Sequence, residues 1–157
     1  MQYAHKKYDV TDFHGALLDI LSVMNHPSVD ETLLAKANVK LDQILFPLLI
    51  TIGRYGPIGV TGLADRLGRD YTTVSRQVKR LKALELAQTN PAANDKRISE
   101  VTLTAQGTLL TQSIAGARQT LMNEIFADWP DEDVKQLFRL VGKYAESIQG
   151  KMVLKGY

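Results

Sequence analysis

Residues 60–84 read VTGLADRLGRDYTTVSRQVKRLKAL, and the apolar spacing within them decides the fold. Leu63, Ala64 and Leu67 share one face of a helix of barely two turns, with Thr61 as its expected cap and Gly68 as its close. Asp70 or Thr72 then starts a second helix reaching about Leu84, on which Val74, Val78 and Leu81 recur at steps of four and three. At about 100° per residue, Thr72, Arg76 and Lys79 cluster on the opposite side, flanked by Thr73, Ser75 and Arg80. A short helix, a brief turn and a longer helix with an outward face of hydroxyls and cations is the helix-turn-helix pattern. Its second helix is built to enter a major groove.

Beyond Leu86 the period drops to two. AQTNP and SEVTLT flank AANDKRI, with Val101 and Leu103 alternating with Thr102 and Thr104, which predicts a two-stranded hairpin. Its tip carries Asn94, Asp95, Lys96 and Arg97. An arginine on such a tip suits phosphates or a narrow, strongly negative minor groove. Thr104 is the expected cap of a long helix to about Asp128, with Leu110, Ile114, Ala117, Leu121 and Ile125 inward and Trp129-Pro130 at its end. A last helix over about 131–149 places Val134, Leu137, Val141, Tyr144 and Ile148 on one stripe, and Asp131, Glu132 and Asp133 suit its positive N-terminal end.

Upstream, residues 9–25 form a helix with Val10, Phe13, Leu17, Ile20 and Met24 at steps of three and four. Pro27 breaks it, Ser28 or Asp30 caps the next helix, and a helical region extends to Arg54, with Pro47 starting a new helix within it or kinking one. GRYGPIGVTG, residues 53–62, is read as a turn. It lacks the G-x-x-x-x-G-K-[ST] spacing of a phosphate loop.

Charge is unevenly placed. Residues 54–97 hold nine Lys/Arg against four Asp/Glu, a local charge of +5 in a chain of net +2. The middle of the chain therefore faces something anionic. The apolar run ILFPLLI is too short for a membrane span and is interrupted by Pro47. MQYAHKKYDV has no signal-peptide pattern, so a cytoplasmic location is expected. The absence of cysteine excludes disulfides, thiolate metal sites and thiol catalysis. His5, His14 and His26 are scattered, and no metalloprotease, nucleophile-elbow or dinucleotide motif is present, so neither an enzyme, a metal site nor a cofactor is expected.

LADRLGRDYTTVSRQVKRL, then DKR, then VTLTAQG together resemble the MarR family of bacterial transcriptional regulators. DKR fits the family's D-x-R wing at Asp95 and Arg97, and VTLTAQG its L-T-x-x-G helix start. The resemblance implies a mostly α protein with a small β-hairpin wing. Residues 40–104 would form a winged helix-turn-helix DNA-binding unit, and 9–25 and 105–150 dimerisation helices, within a single unit of 1–157. It also implies a homodimer with interlocked first and last helices, recognition helices in successive major grooves of an inverted repeat, and a small-molecule pocket between the two parts. The DNA-binding residues implied are Thr72, Thr73, Ser75, Arg76, Lys79, Arg80, Asn94, Asp95, Lys96 and Arg97.

Two positions depart from the pattern. Glu85 stands where a glycine usually ends the recognition helix, and left-handed geometry costs a non-glycine about 1–2 kcal/mol, so a different helix end is expected. Thr89 stands where a basic residue commonly begins the wing, which removes the usual support of Asp95. Without cysteine, any effector acts by binding. His14, Arg54 and Tyr55 have suitable chemistry for a small aromatic or anionic effector. The rival reading is a winged-helix module that binds protein; the outer face of Thr72, Arg76 and Lys79, with Tyr71 the one aromatic nearby, favours DNA.

Overall fold

The computed structural model describes residues 7–152. In chain order its elements are α1 (Thr11–Met24), α2 (Pro27–Lys36), a 3₁₀ turn (Gln43–Leu45), α3 (Phe46–Tyr55), α4 (Val60–Leu67), α5 (Tyr71–Ala83), β1 (Ala87–Pro91), β2 (Ser99–Leu103), α6 (Ala105–Ile125) and α7 (Asp131–Lys151). His5 lies outside the described residues.

The interior is built by the middle of the chain. Leu45, Leu48, Leu49, Ile52, Leu63, Val74, Leu81, Val101 and Ile114 are fully buried, and apart from Leu45 in the 3₁₀ turn they come from α3, α4, α5, β2 and α6. Val74, Val78 and Leu81 form the inner stripe of α5 as their spacing predicts. By contrast α1 and α7 contribute no buried residue, and Phe13, Ile20, Phe138 and Val141 on them are about half exposed. The two helices meet through Phe13 and Tyr144, whose rings pack edge to face at 5.2 Å. Ile125, expected to face inward, is 51% exposed, because α6 runs past the edge of the core before it ends.

Several helix boundaries differ from the sequence reading. The cap of α2 is His26, whose Nδ1 accepts from the Ser28 amide at 3.2 Å, rather than Ser28 or Asp30; Pro27 takes the first helical position and so leaves the cap to the residue before it. The region expected to stay helical to Arg54 is divided. Asn38 adopts φ 54°, ending α2, and Asp42 caps the 3₁₀ turn by accepting from the Ile44 amide at 3.1 Å. Pro47 lies in the first turn of α3, so it starts a helix and does not kink one. The expected turn over 53–62 shrinks to residues 56–59, since Arg54 and Tyr55 still belong to α3. Gly59 occupies the cap position of α4, and Thr61 lies inside the helix.

The hairpin is antiparallel, with Ala87 opposite Leu103, Thr89 opposite Val101 and Pro91 opposite Ser99. Ile58 adds a bridge on the free side of β2, exchanging hydrogen bonds with Val101 at 3.2 and 2.8 Å. One more junction fixes the hairpin and α5 to α6. Thr104 caps α6 by accepting from the Gly107 amide at 3.0 Å; its own amide donates to the Leu86 carbonyl at 3.1 Å and its hydroxyl to the Glu85 carbonyl at 2.6 Å. A side chain at Gly107 would collide with the Leu86 carbonyl oxygen, so this close approach requires glycine.

Candidate nucleic-acid interface

The turn between α4 and α5 has a residue suited to each step. Gly68 closes α4 in left-handed geometry at φ 63°. Asp70 then caps α5, accepting from the Thr73 amide at 2.8 Å and the Thr73 hydroxyl at 2.7 Å. Those two bonds, the hydroxyl first, hold the Asp70 carboxyl below the usual carboxylate range. Behind the turn, Arg69 donates to the buried Gln77 amide oxygen at 2.9 Å and to the Ile44 carbonyl at 3.2 Å. The buried polar group is thereby satisfied.

On the outward side of α5, Thr72, Arg76 and Lys79 are exposed and Ser75 is half-buried. Two of their expected neighbours have other work. The Thr73 hydroxyl is committed to the Asp70 cap, and Arg80 forms an ion pair with Asp42 at 2.7 Å. The Arg80 bond, together with the Ile44 amide, lowers the Asp42 pKa. Asp42 is the residue sequence reasoning missed, since 38 positions separate it from its partner.

At the wing, Arg97 folds back onto Asp95. Its Nε donates to Oδ1 at 3.1 Å, a terminal nitrogen to Oδ2 at 3.0 Å, and its amide to Oδ1 at 3.0 Å. The paired bonds lower the Asp95 pKa and raise that of Arg97, the side-chain bond being the larger cause in each. Asp95 is thus supported from within the tip, while the Arg97 side chain stays 90% exposed. Asn94 and Lys96 flank Asp95 on the same tip, and the Lys96 side chain is exposed. At the other end of the wing, the Thr89 hydroxyl accepts from Lys82 at 3.0 Å, tying the end of α5 to β1.

The expected ligand residues do not converge. His14 is exposed on α1. Arg54 lies 5.4 Å from the Tyr55 ring, and Arg66 stacks on the same ring at 3.6 Å. A cleft of about 540 Å³ opens between α3, β2 and α6, and Arg54 lines it together with Arg118, but His14 and Tyr55 do not. Arg118 could have been noticed as the lone cation in the sequence of α6. Among the described residues no cluster of His, Asp and Glu is placed to hold a metal ion. No described helix is long and apolar enough to cross a membrane.

A family model described as HVO_A0114 matches residues 46–100, the segment from α3 through the wing. The HTH-type transcriptional repressor NicR of Pseudomonas putida is 34% identical over 113 residues, covering 71% of this chain and 70% of NicR. A MarR family protein from Bacillus stearothermophilus has the same fold, with a TM-score of 0.72 at 16% identity over 88% of this chain and 94% of that one. The chain belongs to the MarR family of transcriptional regulators. CouR from Rhodococcus jostii, solved bound to p-coumaroyl-CoA, shares the MarR fold with a TM-score of 0.60 at 18% identity, over 88% of this chain and 96% of CouR. Within this MarR family chain, the stretch 40–104 contains the elements from the 3₁₀ turn through β2.

Proposed function

We propose that this MarR family regulator binds double-stranded DNA as a homodimer at an inverted-repeat operator and is released by a small-molecule ligand. The observation that carries the reading is the division of charge on the outward surface. Arg76 and Lys79 on α5 make no ion pair among the described residues, and the wing presents Lys96 and a highly exposed Arg97 beyond them. A helix in the major groove and a basic tip against the flanking backbone use those groups together.

Dimerisation is supported by the apolar residues that α1 and α7 leave outside the core. Val10, Phe13, Ile20, Phe138 and Val141 are each 48–58% exposed, and two copies wound together would cover both stripes. Half-site centres would then lie one helical turn, about 10–10.5 base pairs, apart. NicR is named a repressor, which supports repression as the outcome here. The ligand carried by CouR supports release by a small organic molecule.

A gel shift on genomic fragments across a salt series, with the molecular mass of the free protein measured alongside, tests the proposal. The expected results are a dimer and a fragment-specific shift whose affinity falls steeply with salt. A monomer that binds DNA fully would overturn the dimer, and salt-insensitive capture of a protein with no DNA shift would favour the protein-binding winged helix instead.

A further inference from the structure

The N-terminal end of α5 is the part of the proposed recognition helix that meets base edges, and it carries no cation. Asp70, Tyr71, Thr72 and Thr73 make up that end, and the first base on the helix is Arg76. The Asp70 carboxylate is committed to the Thr73 amide and hydroxyl, which hold it in its charged form. A fixed negative charge makes this end a poor seat for a phosphate. Tyr71 opens the helix and is 58% exposed. The inner stripe of Val74, Val78 and Leu81 is complete without it. Among the described residues its ring stacks on no other ring and its hydroxyl makes no hydrogen bond. A lone exposed apolar side chain on a surface means little by itself, so the position has to carry the argument. Here the ring stands at the tip of the helix, and the apolar group that a base edge offers in a major groove is the C5-methyl of thymine.

We propose that Tyr71 is a specificity-determining residue that packs its ring on a thymine C5-methyl in each half-site. This deepens the DNA-binding reading above and rests on it. Arg76 follows Tyr71 by five positions. At about 1.5 Å per residue that is roughly 7.5 Å along the helix, or about two base-pair steps of about 3.4 Å. The thymine therefore lies about two base pairs from the base pair that Arg76 faces. The two ends of one short surface then read different chemistry. Tyr71 takes a methyl group and Arg76 takes acceptors, so the tip adds sequence preference without adding charge.

The test uses the full chain. Wild type, Tyr71→Ala and Tyr71→Phe each select from a library of random duplexes, and the wild-type site is then resynthesised with deoxyuridine in place of single thymines, which removes only the methyl. In one thymine per half-site the replacement should lower wild-type affinity about fourfold, the worth of one buried methyl group, while thymines outside the half-sites are replaced without effect. Tyr71→Ala should bind the thymine and deoxyuridine duplexes equally and select sites without that thymine. Tyr71→Phe keeps the ring and should behave as wild type. Circular dichroism confirms that both variants are folded. Three results overturn the proposal: Tyr71→Ala keeping the thymine preference, wild type indifferent to every deoxyuridine, or Tyr71→Phe losing the preference as Tyr71→Ala does, which assigns the contact to the hydroxyl. Wild type enriching no duplex overturns the DNA-binding reading and this one with it, whereas an enriched site that is indifferent to Tyr71→Ala overturns this one alone.

Discussion

The Arg80 guanidinium meets the Asp42 carboxylate at 2.7 Å, joining the exposed flank of α5 to the turn that leads into α3. Both side chains remain about half exposed, so solvent screens the pair and its worth to stability is small. Its effect on binding is larger in kind. The carboxylate competes with any phosphate for Arg80 and adds a negative charge beside the proposed DNA face. Asp42→Asn is therefore expected to tighten operator and random DNA alike, several-fold at low salt, and to steepen the salt dependence by up to about one phosphate contact. An unchanged affinity and slope, read from gel shifts across a salt series, would show that Arg80 does not reach the backbone.

The same carboxylates set the response to acid. Asp42, Asp70 and Asp95 all have pKa values lowered by hydrogen bonds made in the folded chain, from Arg80, Thr73 and Arg97 in turn. A depressed folded pKa contributes stability that is present above the unfolded value, near 3.9, and is lost as pH falls through the folded value. Asp30 runs the other way, because burial raises its pKa and favours the neutral form. Asp9, lowered by its hydrogen bonds from Thr11, makes a fourth lowered group, and the four outnumber Asp30, so stability should fall below about pH 4. Asp70→Asn keeps a capping side chain but removes the titration. Chemical denaturation from pH 3 to 7 should show a shallower acid limb in that variant than in the wild type.

Glu85 accepts left-handed geometry, φ 61°, where the sequence reading expects the helix end to change. The cost is borne because the end is held from several directions. The Glu85 amide donates to the Lys82 carbonyl at 2.9 Å, the Leu86 amide to the Leu81 carbonyl at 2.9 Å, and the Thr104 hydroxyl donates to the Glu85 carbonyl. Glu85→Gly removes a strain of about 1–2 kcal/mol but costs roughly 0.4–1 kcal/mol through the greater entropy of the unfolded chain. A net gain of about 0.5–1 kcal/mol is expected, read as a higher denaturation midpoint with an unchanged slope. A loss of stability would mean that the Glu85 side chain makes a favourable contact worth more than the strain.

How much is legible in the sequence varies with the range of the interaction. The α4–turn–α5 unit and the wing are readable because Gly68, Asp70 and the alternation around Val101 act within a few residues. The break after α2 is hidden, since Asn38 lies in AKANVKLDQ without a proline or glycine to mark it. The His26 cap is hidden too, because histidine is not among the residues that usually cap. The Asp42–Arg80 pair and the meeting of Arg54 with Arg118 in one cleft depend on tertiary contacts that no periodicity encodes. Spacing reveals the apolar stripes on α1 and α7. It cannot tell that the core of this chain leaves them uncovered.

The division of labour between Arg76 and Arg97 follows from how each is held. Arg76 is exposed on the outer face of α5, one turn after Thr72; it acts on Asp70 only through its charge and forms no ion pair among the described residues, which leaves its guanidinium available to guanine O6 and N7 in the proposed complex. Arg76→Ala should cost about 1–3 kcal/mol on the operator and much less on random DNA. Arg97 instead has two of its nitrogens committed to Asp95, a pairing that orients the remaining face of the guanidinium at the wing tip. It should therefore meet phosphates or a narrow minor groove, and Arg97→Ala should weaken both DNAs more evenly while lowering the salt slope by about one. Asp95→Ala provides a control, because it leaves the charge of Arg97 while removing both its orientation and one neighbouring negative charge. If Asp95→Ala weakens operator binding nearly as much as Arg97→Ala, orientation at the tip matters. If it strengthens binding, as removal of a nearby acid would, Arg97 acts as a point charge. Arg76→Ala reducing both affinities equally would mean that α5 does not read base edges through this residue.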